Sequence, residues 1–391
     1  MEGKRKEILE SHEDYMDWEK LALHCRTLDE LTELEKEKAS RAFRFLGKEF
    51  GNDFLKSAFV NYHPIYYFIT NTAPWTRRWI IRFADEIKEL KDKEKFSSLL
   101  ERLKDKKKFG EGLSVLKVSY KFSKAGFIVA FDPSVEISGK SKIPDLRVYN
   151  QGSDEKLFIE VSIQRESIIH KEAWETMRKI SVLTWGNLPH MSHCGRIHKI
   201  LSEKHLDDIV MKVRKMIEKV HKENEFQELV IEGVIEIGMA PKEDREILEK
   251  WASGRGLKVG EFSGPSFDVD EISRTRIKIR DEQQQLPTET PNILVIENND
   301  FFFSNKDIKK SISELEEEVY KYPHLLAVII SGGYTGGVGE NKIIMQNQHL
   351  FISKIISDLI VEQHIILFNQ YCNIKISPTT ITKMYDAFRD Y

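Results

Sequence analysis

The chain has 391 residues, of which 40% are hydrophobic and 31% charged, and a formal net charge of −3. This length is sufficient for two or three domains, and the net charge excludes a protein that coats nucleic acid through an overall basic surface. No apolar run approaches the roughly 20 residues that cross a bilayer, so we expect no membrane partner. The three widely spaced cysteines favour reduced thiols and a cytoplasmic location.

The first hundred residues carry helical patterns. In residues 28–50, apolar residues recur at helical spacing within a charge-rich sequence, and Pro74 is placed to open a further helix. That helix sets Trp75, Trp79 and Phe83 at i, i+4 and i+8, which is typical either of a nucleic-acid platform or of a buried stripe. The buried stripe is the favoured interpretation.

A change of pattern follows the basic run 102–108, which we interpret as an exposed linker. From Phe109, apolar residues at helical spacing predict a helix that ends near Gly126. Residues 127–131 predict a short buried strand, closed by an Asp-Pro pair. The sequence therefore predicts an all-helical domain over residues 1–104 and a second domain that begins at residue 105.

Residues 143–164 predict a β-hairpin with a carboxylate on each strand. Asp145 stands at the start of the first strand, and residues 157–164 alternate between apolar and polar types with Glu160 in the middle. The polar turn at 150–154 joins the two runs. Neighbouring antiparallel strands bring facing side chains within about 5 Å. Two carboxylates that close favour a divalent cation between them.

This hairpin resembles the catalytic hairpin of the restriction-endonuclease-like, or PD-(D/E)xK, nucleases. Their signature is Pro-Asp, a variable gap and then Asp/Glu-x-Lys, and the chain matches it with Pro144-Asp145 and Glu160. Ser162 stands where the family has its Lys. The resemblance implies that Asp145 and Glu160 bind Mg²⁺ or Mn²⁺, that a Lys positions the attacking water, and that Glu111 on the preceding helix acts as a third ligand or base.

Because Ser162 replaces the motif Lys, another residue must orient water if the site is active. Gln164 shares a strand face with Glu160 by parity and is one candidate. Lys156 lies about 13 Å along the strand from Glu160, which is too far. Lys171 and Lys179, on the helix predicted after the hairpin, are further candidates.

The last candidate for the replacement of the motif Lys is the segment 274–280, which offers four cations in seven residues. As a strand it sets all four on one face; as a helix it pairs Arg276 with Arg280 and Arg274 with Lys278. Either form predicts a local phosphate-binding patch on a molecule without an overall basic charge. The alternative is a solvated basic face balanced by the two acids that follow, and it is somewhat favoured.

Residues 190–198 contain three histidines and a cysteine. These residue types suit zinc, yet the spacing fits no standard site and lacks a second paired half. We therefore expect a loop with solvent-facing histidines. Helices are predicted at 168–184 and 203–222 on either side, and a strand at 229–239.

The strands at 292–297 and 325–330, joined by a helix at 306–321, predict a crossover between parallel strands. With the hairpin, they predict an α/β fold: a restriction-endonuclease-like mixed sheet flanked by helices, after an N-terminal all-helical region. We expect the nuclease-like core to span residues 105–335 with an insertion near 185–275, and residues 336–391 to form a C-terminal α/β extension.

The first hypothesis for function is a magnesium-dependent nuclease acting on DNA. Asp145, Glu160, Glu111 and Gln164 would form its site, and a second set of residues would contact nucleic acid, namely Lys171, Arg276, Lys278 and Arg280. The alternative is an inactive nucleic-acid-binding or scaffold protein that retains the fold, which Ser162 favours. A third interpretation is that the hairpin is an accident within an unrelated α/β protein. The oligomeric state is left open.

Overall fold

The structure is a computed structural model of the 391-residue chain. It describes residues 13–137, 139–150, 153, 155–185, 190–265, 270–304, 308–335, 341–346, 349–357 and 360–391. The chain divides into two compact units. The first comprises Met1–Gln164 and Glu271–Tyr391, and the second comprises Arg165–Asp270.

The helices are named in chain order. They are α1 (Trp18–His24), α2 (Glu33–Phe50), α3 (Asn52–Val60), α4 (Ile65–Thr70), α5 (Pro74–Leu90), α6 (Phe96–Lys104), α7 (Phe109–Lys124), α8 (Ile168–Trp185), α9 (Glu203–Glu223), α10 (Arg245–Ser253), α11 (Glu271–Glu282), α12 (Asn299–Ser304), α13 (Ile308–Val319) and α14 (Pro378–Arg389). A capping box between Thr32 and Glu35 opens α2, and Gly51 at φ +81° ends it. In α5, Trp79 stacks between Phe68 and the buried Phe83, which supports the buried-stripe interpretation.

The strands are β1 (Phe127–Phe131), β2 (Val135–Ile137), β3 (Lys140–Lys142), β4 (Leu146–Asn150), β5 (Lys156–Ile163), β6 (Met191–Ile197), β7 (Gln227–Ile231), β8 (Ile235–Pro241), β9 (Phe262–Ser263), β10 (Asn292–Glu297), β11 (Leu325–Thr335), β12 (Lys342–Gln346), β13 (His349–Ser357) and β14 (Ile360–Phe368). The first unit holds an eight-stranded sheet in the order β1-β4-β5-β10-β11-β14-β13-β12. Its central strands β5, β10 and β11 are parallel, and the pairs outside them are antiparallel. The expectation of a mixed α/β fold with a large sheet is confirmed.

Both faces of the large sheet are covered, because its central strands are apolar on both sides. One face, with Ile159 and Val295, packs against α5, α7 and α14 in a core that also includes the N-terminal helices. The opposite face, with Phe158 and Leu294, packs against α11, α12 and α13. The hairpin therefore lies in the middle of a two-sided core, and its polar residues are the exception on their strands.

The N-terminal helices do not form a compact unit of their own, in contrast to the expected division at residue 104. Trp18 near the start of the described chain and Phe388 near its end belong to the same core, because the apolar faces of the helices pack onto the sheet. The expected C-terminal extension also joins this unit, since β14 pairs with β11; residues 336–340, where it would begin, lie outside the described residues. The intervening unit starts at residue 165 rather than near 185.

The second unit contains a four-stranded sheet in the order β7-β8-β6-β9. The expected histidine loop is wrong, because Met191–Ile197 form strand β6, paired with β8. His193 and Cys194 are both buried, and successive strand residues point to opposite faces, so these two side chains do not converge on one ion. Burial lowers the pKa of His193. The predicted strand at 229–239 is a hairpin of two strands, with Gly233 at φ +64° between them.

Within the described ranges, no helix is both long enough and apolar enough to span a membrane.

Candidate carboxylate site

The predicted hairpin is formed by β4 and β5 and sets the two carboxylates opposite each other. Leu146 pairs with Ile159 in the antiparallel register, so one step further along the strands Asp145 faces Glu160. The backbone N–H of Val161 donates to Oδ2 of Asp145 over 3.0 Å. The register therefore holds both side chains at one point on the sheet.

Of the two carboxylates, Glu160 has the less favourable surroundings. Its Oε2 is buried and has no hydrogen-bond partner among the described residues. Burial, then the charges of Asp145 and Glu282, raise the pKa of Glu160 to about 9. Glu160 therefore retains a proton at neutral pH when nothing but protein surrounds it.

Asp145 has a cation beside it. The guanidinium of Arg102 lies 2.5 Å from Oδ1 of Asp145 and also pairs with the carboxylate of Asp132. Burial raises the pKa of Asp145, and the ion pair with Arg102 opposes that rise. Arg102 and the Val161 amide both favour the ionised form of Asp145. Of the two facing carboxylates, Glu160 is therefore the one that is protonated.

Ser162, which occupies the position of the motif Lys, is connected to another lysine, Lys278, through the carboxylate of Glu282. Oγ of Ser162 donates to Oε1 of Glu282 over 2.9 Å. The Nζ of Lys278, one turn earlier in α11, lies 2.7 Å from the same Oε1. The segment 274–280 is thus helical, and Glu282 links its Lys278 to the serine.

Gln164, the third polar residue on this strand face, contacts the N-terminal end of α11. Its Nε2 donates to Oε2 of the buried Glu271 over 2.8 Å, and Asn298 donates to the same oxygen over 3.2 Å. Oε1 of Gln164 is buried and has no hydrogen-bond partner in the described part of the chain. An amide oxygen in that state is suited to accept a hydrogen bond from water or from a substrate.

Two further predicted site residues, Glu111 and Lys171, are exposed. Glu111 is exposed in the first turn of α7, and the contacts described above for Asp145 and Glu160 do not include it. Lys171 is exposed on α8, which belongs to the second unit. The roles assigned to Glu111 and Lys171 stay predictions.

Arg276 and Arg280 form ion pairs within the first unit. Their guanidinium groups lie 3.5 and 3.8 Å from the carboxylate of Glu318 on α13, whose side chain is fully buried. Lys321 and the hydroxyl of Tyr322 also contact this carboxylate. The cations of segment 274–280 therefore divide by helix face, with the two arginines at Glu318 and Lys278 at Glu282. Their contact with nucleic acid stays a prediction.

Sequence reasoning missed three members of the site: Arg102, Asp132 and Glu282. Arg102 lies in the last turn of α6, not in an exposed linker, and keeps only 20% of its side-chain exposure. The signal for that helix was the apolar spacing of Phe96, Leu99 and Leu103, which continues into the basic run. Glu282 carried a weaker signal, its i+4 spacing from Lys278.

The residues present fit a small divalent cation. Within the described ranges, no group of three or more His, Cys, Asp or Glu side chains is arranged to hold an ion. Magnesium is commonly held by one or two carboxylates together with water and substrate phosphate, not by an all-protein cage. Facing carboxylates with one unpartnered oxygen supply that donor set. Asp145 and Glu160 are the residues that would hold the ion.

Comparisons of the chain with protein-family models, with curated proteins and with solved structures find no match.

Proposed function

We propose that this protein is a magnesium-dependent, nuclease-like hydrolase of phosphodiester bonds, acting on DNA. The observation that carries the proposal is Glu160, a half-buried carboxylate opposite Asp145. One of its oxygens has no hydrogen-bond partner among the described residues, and burial together with the charges of Asp145 and Glu282 raises its pKa to about 9. Such an arrangement is unfavourable in a structural core. It becomes favourable when a divalent ion replaces the proton.

We also propose that the fold is restriction-endonuclease-like. In support, α7 is followed by the antiparallel strands β1, β4 and β5, and then, after the second unit, by α11, β10, α13 and β11. Strand β11 pairs in parallel with β10, as the crossover pattern predicted, and β10 in turn pairs in parallel with β5. In this order Asp145 immediately precedes β4 and Glu160 lies on β5, so both belong to the hairpin that carries the resemblance.

In this proposal each polar side chain has a defined task. Asp145 and Glu160 hold the ion, which when bound supplies charge stabilisation for the phosphate and a more acidic water. Glu160 gives up its proton as the ion enters. Gln164 lies four residues from Glu160, about 13 Å along the strand, as Lys156 does, so its Oε1, which has no hydrogen-bond partner among the described residues, would bind the substrate and not the attacking water.

Lys278 takes the place of the missing motif Lys. Ser162 cannot carry a charge, but it holds Glu282, which in turn holds the ammonium group of Lys278. A cation on α11 beside the strand face of Glu160 can orient water or stabilise a phosphate oxygen. The sequence change from Lys to Ser is then compensated in space by a residue more than 100 positions away.

The second candidate function is an inactive scaffold or nucleic-acid-binding protein that retains this fold. One observation favours it: Arg102 already supplies a positive charge to Asp145, at 2.5 Å. An internal guanidinium can neutralise a carboxylate site permanently, as a metal would. In that case the site serves stability, and DNA binding needs no ion.

The test combines cleavage with metal binding. Labelled single-stranded, duplex and branched DNA are incubated with wild type, Asp145→Asn and Glu160→Gln in Mg²⁺ and in Mn²⁺, and the melting temperature of each protein is recorded with and without Mn²⁺. We expect the wild type to cleave at least one substrate and to melt at a higher temperature in Mn²⁺. Both variants should lose both properties, because each removes a ligand.

Glu136→Gln is the matched control, since Glu136 is an exposed acid on β2, outside the site. It should cleave and respond to Mn²⁺ as the wild type does. A wild type that neither cleaves DNA nor responds to Mn²⁺, but binds DNA equally well in chelator and in Mg²⁺, would favour the scaffold. Cleavage by all four proteins would indicate a contaminant or a different site.

A further inference from the structure

The two edges of the eight-stranded sheet differ. At one edge, β1 is shielded: residues near Glu94 run alongside it, Glu94 bridges to Ala130, and the N–H of Phe131 donates to the carbonyl of Glu94 over 3.0 Å. At the other edge lies β12, Lys342–Gln346, which is the last strand in the sheet order. No further strand pairs with β12 within the described chain. Among the residues that the structure describes, this row of backbone hydrogen-bonding groups therefore has no partner strand.

The side chains of β12 are apolar on both faces of this open edge. Ile343 and Met345 are 54% and 66% exposed and share one face, and Ile344 is 39% exposed on the other. Across the ladder, Ile343 pairs with Ile352 and Met345 with Leu350, both of which are buried. Strand β12 thus extends an apolar sheet face beyond the elements that cover it.

Edge strands in soluble monomers are usually protected by charges, proline, bulges or a covering segment. The edge strand β7 of the smaller sheet follows that rule, because it carries the exposed Glu228 beside the exposed Val230. Strand β12 has one charge, Lys342, at its first position and none among its three central residues. An open edge whose central residues are apolar and uncharged is the geometry that recruits another strand.

We propose that β12 pairs in antiparallel fashion with β12 of a second copy of this chain, about a two-fold axis through Ile344. In this register Ile344 faces its own counterpart, Ile343 faces Met345, and Lys342 faces the uncharged Gln346. The strand is self-complementary, since no like charges oppose each other and each exposed apolar side chain meets another. A two-fold contact of this kind closes after two copies and does not grow into a fibre.

The dimer is expected to be weak. One pair of five-residue strands buries less than the roughly 1,000 Å² of a stable interface. The wild type should therefore dissociate on dilution, with an average mass that rises with concentration from the 45.7 kDa of the chain toward twice that value. Sedimentation velocity of the full chain over a wide concentration range measures this directly.

Ile344→Lys is the test variant, because it places two like charges against each other on the axis at a position that is exposed in the monomer. Val230→Lys is the matched control on the charged edge strand β7, where the exposed fraction of the valine is 48%. We expect Ile344→Lys to sediment as a monomer at every concentration and Val230→Lys to match the wild type. A wild type that stays monomeric throughout, or a control that dissociates equally, would overturn the proposal.

A covalent test checks the register independently of affinity. In a Cys372→Ser background, Ile344→Cys puts one thiol on the axis, within disulfide reach of its counterpart; the two remaining native cysteines are buried. Oxidation should link the Ile344→Cys protein into dimers in proportion to its concentration. Val230→Cys in the same background should not do so. Equal linkage of both proteins would mean random collision and would refute the two-fold register.

Discussion

Arg102→Gln removes the guanidinium that joins Asp145 and Asp132, and the burial of this group determines how far the free energy of unfolding falls. The three side chains keep 20%, 13% and 23% of their exposure, so both ion pairs are mostly buried. Two charges about 4 Å apart interact by about 4 kcal/mol at an effective dielectric constant near 20. Removing one partner from a buried pair costs about 3–5 kcal/mol. We expect the lower end, about 3 kcal/mol, because some solvent reaches all three groups.

Urea unfolding at pH 7 measures this effect in Arg102→Gln, Asp145→Asn and the double variant. The double variant should be less destabilised than the sum of the single variants, with a coupling energy of about 2 kcal/mol, since Asp145→Asn removes the charge that Arg102→Gln leaves unpaired. Lys104→Gln is the control: Lys104 belongs to the same helix turn, and its ion pair is a 3.9 Å contact with the exposed Glu101. It should change the free energy of unfolding by less than about 0.5 kcal/mol.

The same variant separates the two proposed functions. If Asp145 holds a metal ion, Arg102→Gln removes a competing charge, and Mn²⁺ should bind about tenfold more tightly, which calorimetry detects as about 1.4 kcal/mol. If the guanidinium is a permanent structural counter-charge, Mn²⁺ should bind neither protein. A destabilisation of Arg102→Gln below about 0.5 kcal/mol, or strict additivity in the double variant, would refute the ion-pair reasoning itself.

Three further predictions concern neighbouring groups. Glu160 has a pKa of about 9 in the folded state and near 4.5 when unfolded, so between these values the unfolded chain binds one proton fewer. The free energy of unfolding of the wild type should therefore fall as the pH rises from 5 to 8, by up to about 1.4 kcal/mol per pH unit more than that of Glu160→Gln. Urea unfolding at several pH values measures this difference. Lys278→Met should lower the DNA cleavage rate about 10²–10³-fold while leaving the Mn²⁺-induced rise in melting temperature intact, because it removes no ligand; an equal loss of both would contradict the positioning role. Glu318→Gln should destabilise the protein by about 2 kcal/mol, since the buried carboxylate joins Arg276 and Arg280 to α13. A melting temperature equal to that of the wild type would show that these contacts do not stabilise the fold.

Much of the candidate site could be read from the sequence because its information is local. Period-two alternation and a polar turn predicted the β4–β5 hairpin, and strand parity put Ser162 on the same face as Glu160. The register that sets Asp145 opposite Glu160 is decided by the pairing of β4 with β5. The strand–helix–strand spacing after residue 290 likewise predicted the parallel pair β10 and β11. In each case the decisive residues lie within one hairpin or one crossover, where chain geometry allows few alternatives.

The partners of those residues depended on the tertiary structure. Arg102 and Asp145 are 43 residues apart, and Ser162 and Glu282 are 120 apart; a basic run or a helical Lys–Glu spacing looks the same whether it faces solvent or a carboxylate. The burial of His193 likewise follows from the pairing of β6 with β8, not from its neighbours in sequence. The sequence by itself determined the carboxylate hairpin, the parallel crossover and which of their side chains share a face, because those follow from short-range periodicity. Only the packing of distant elements decided which charges meet, because an ion pair needs proximity in space and leaves no periodic trace along the chain.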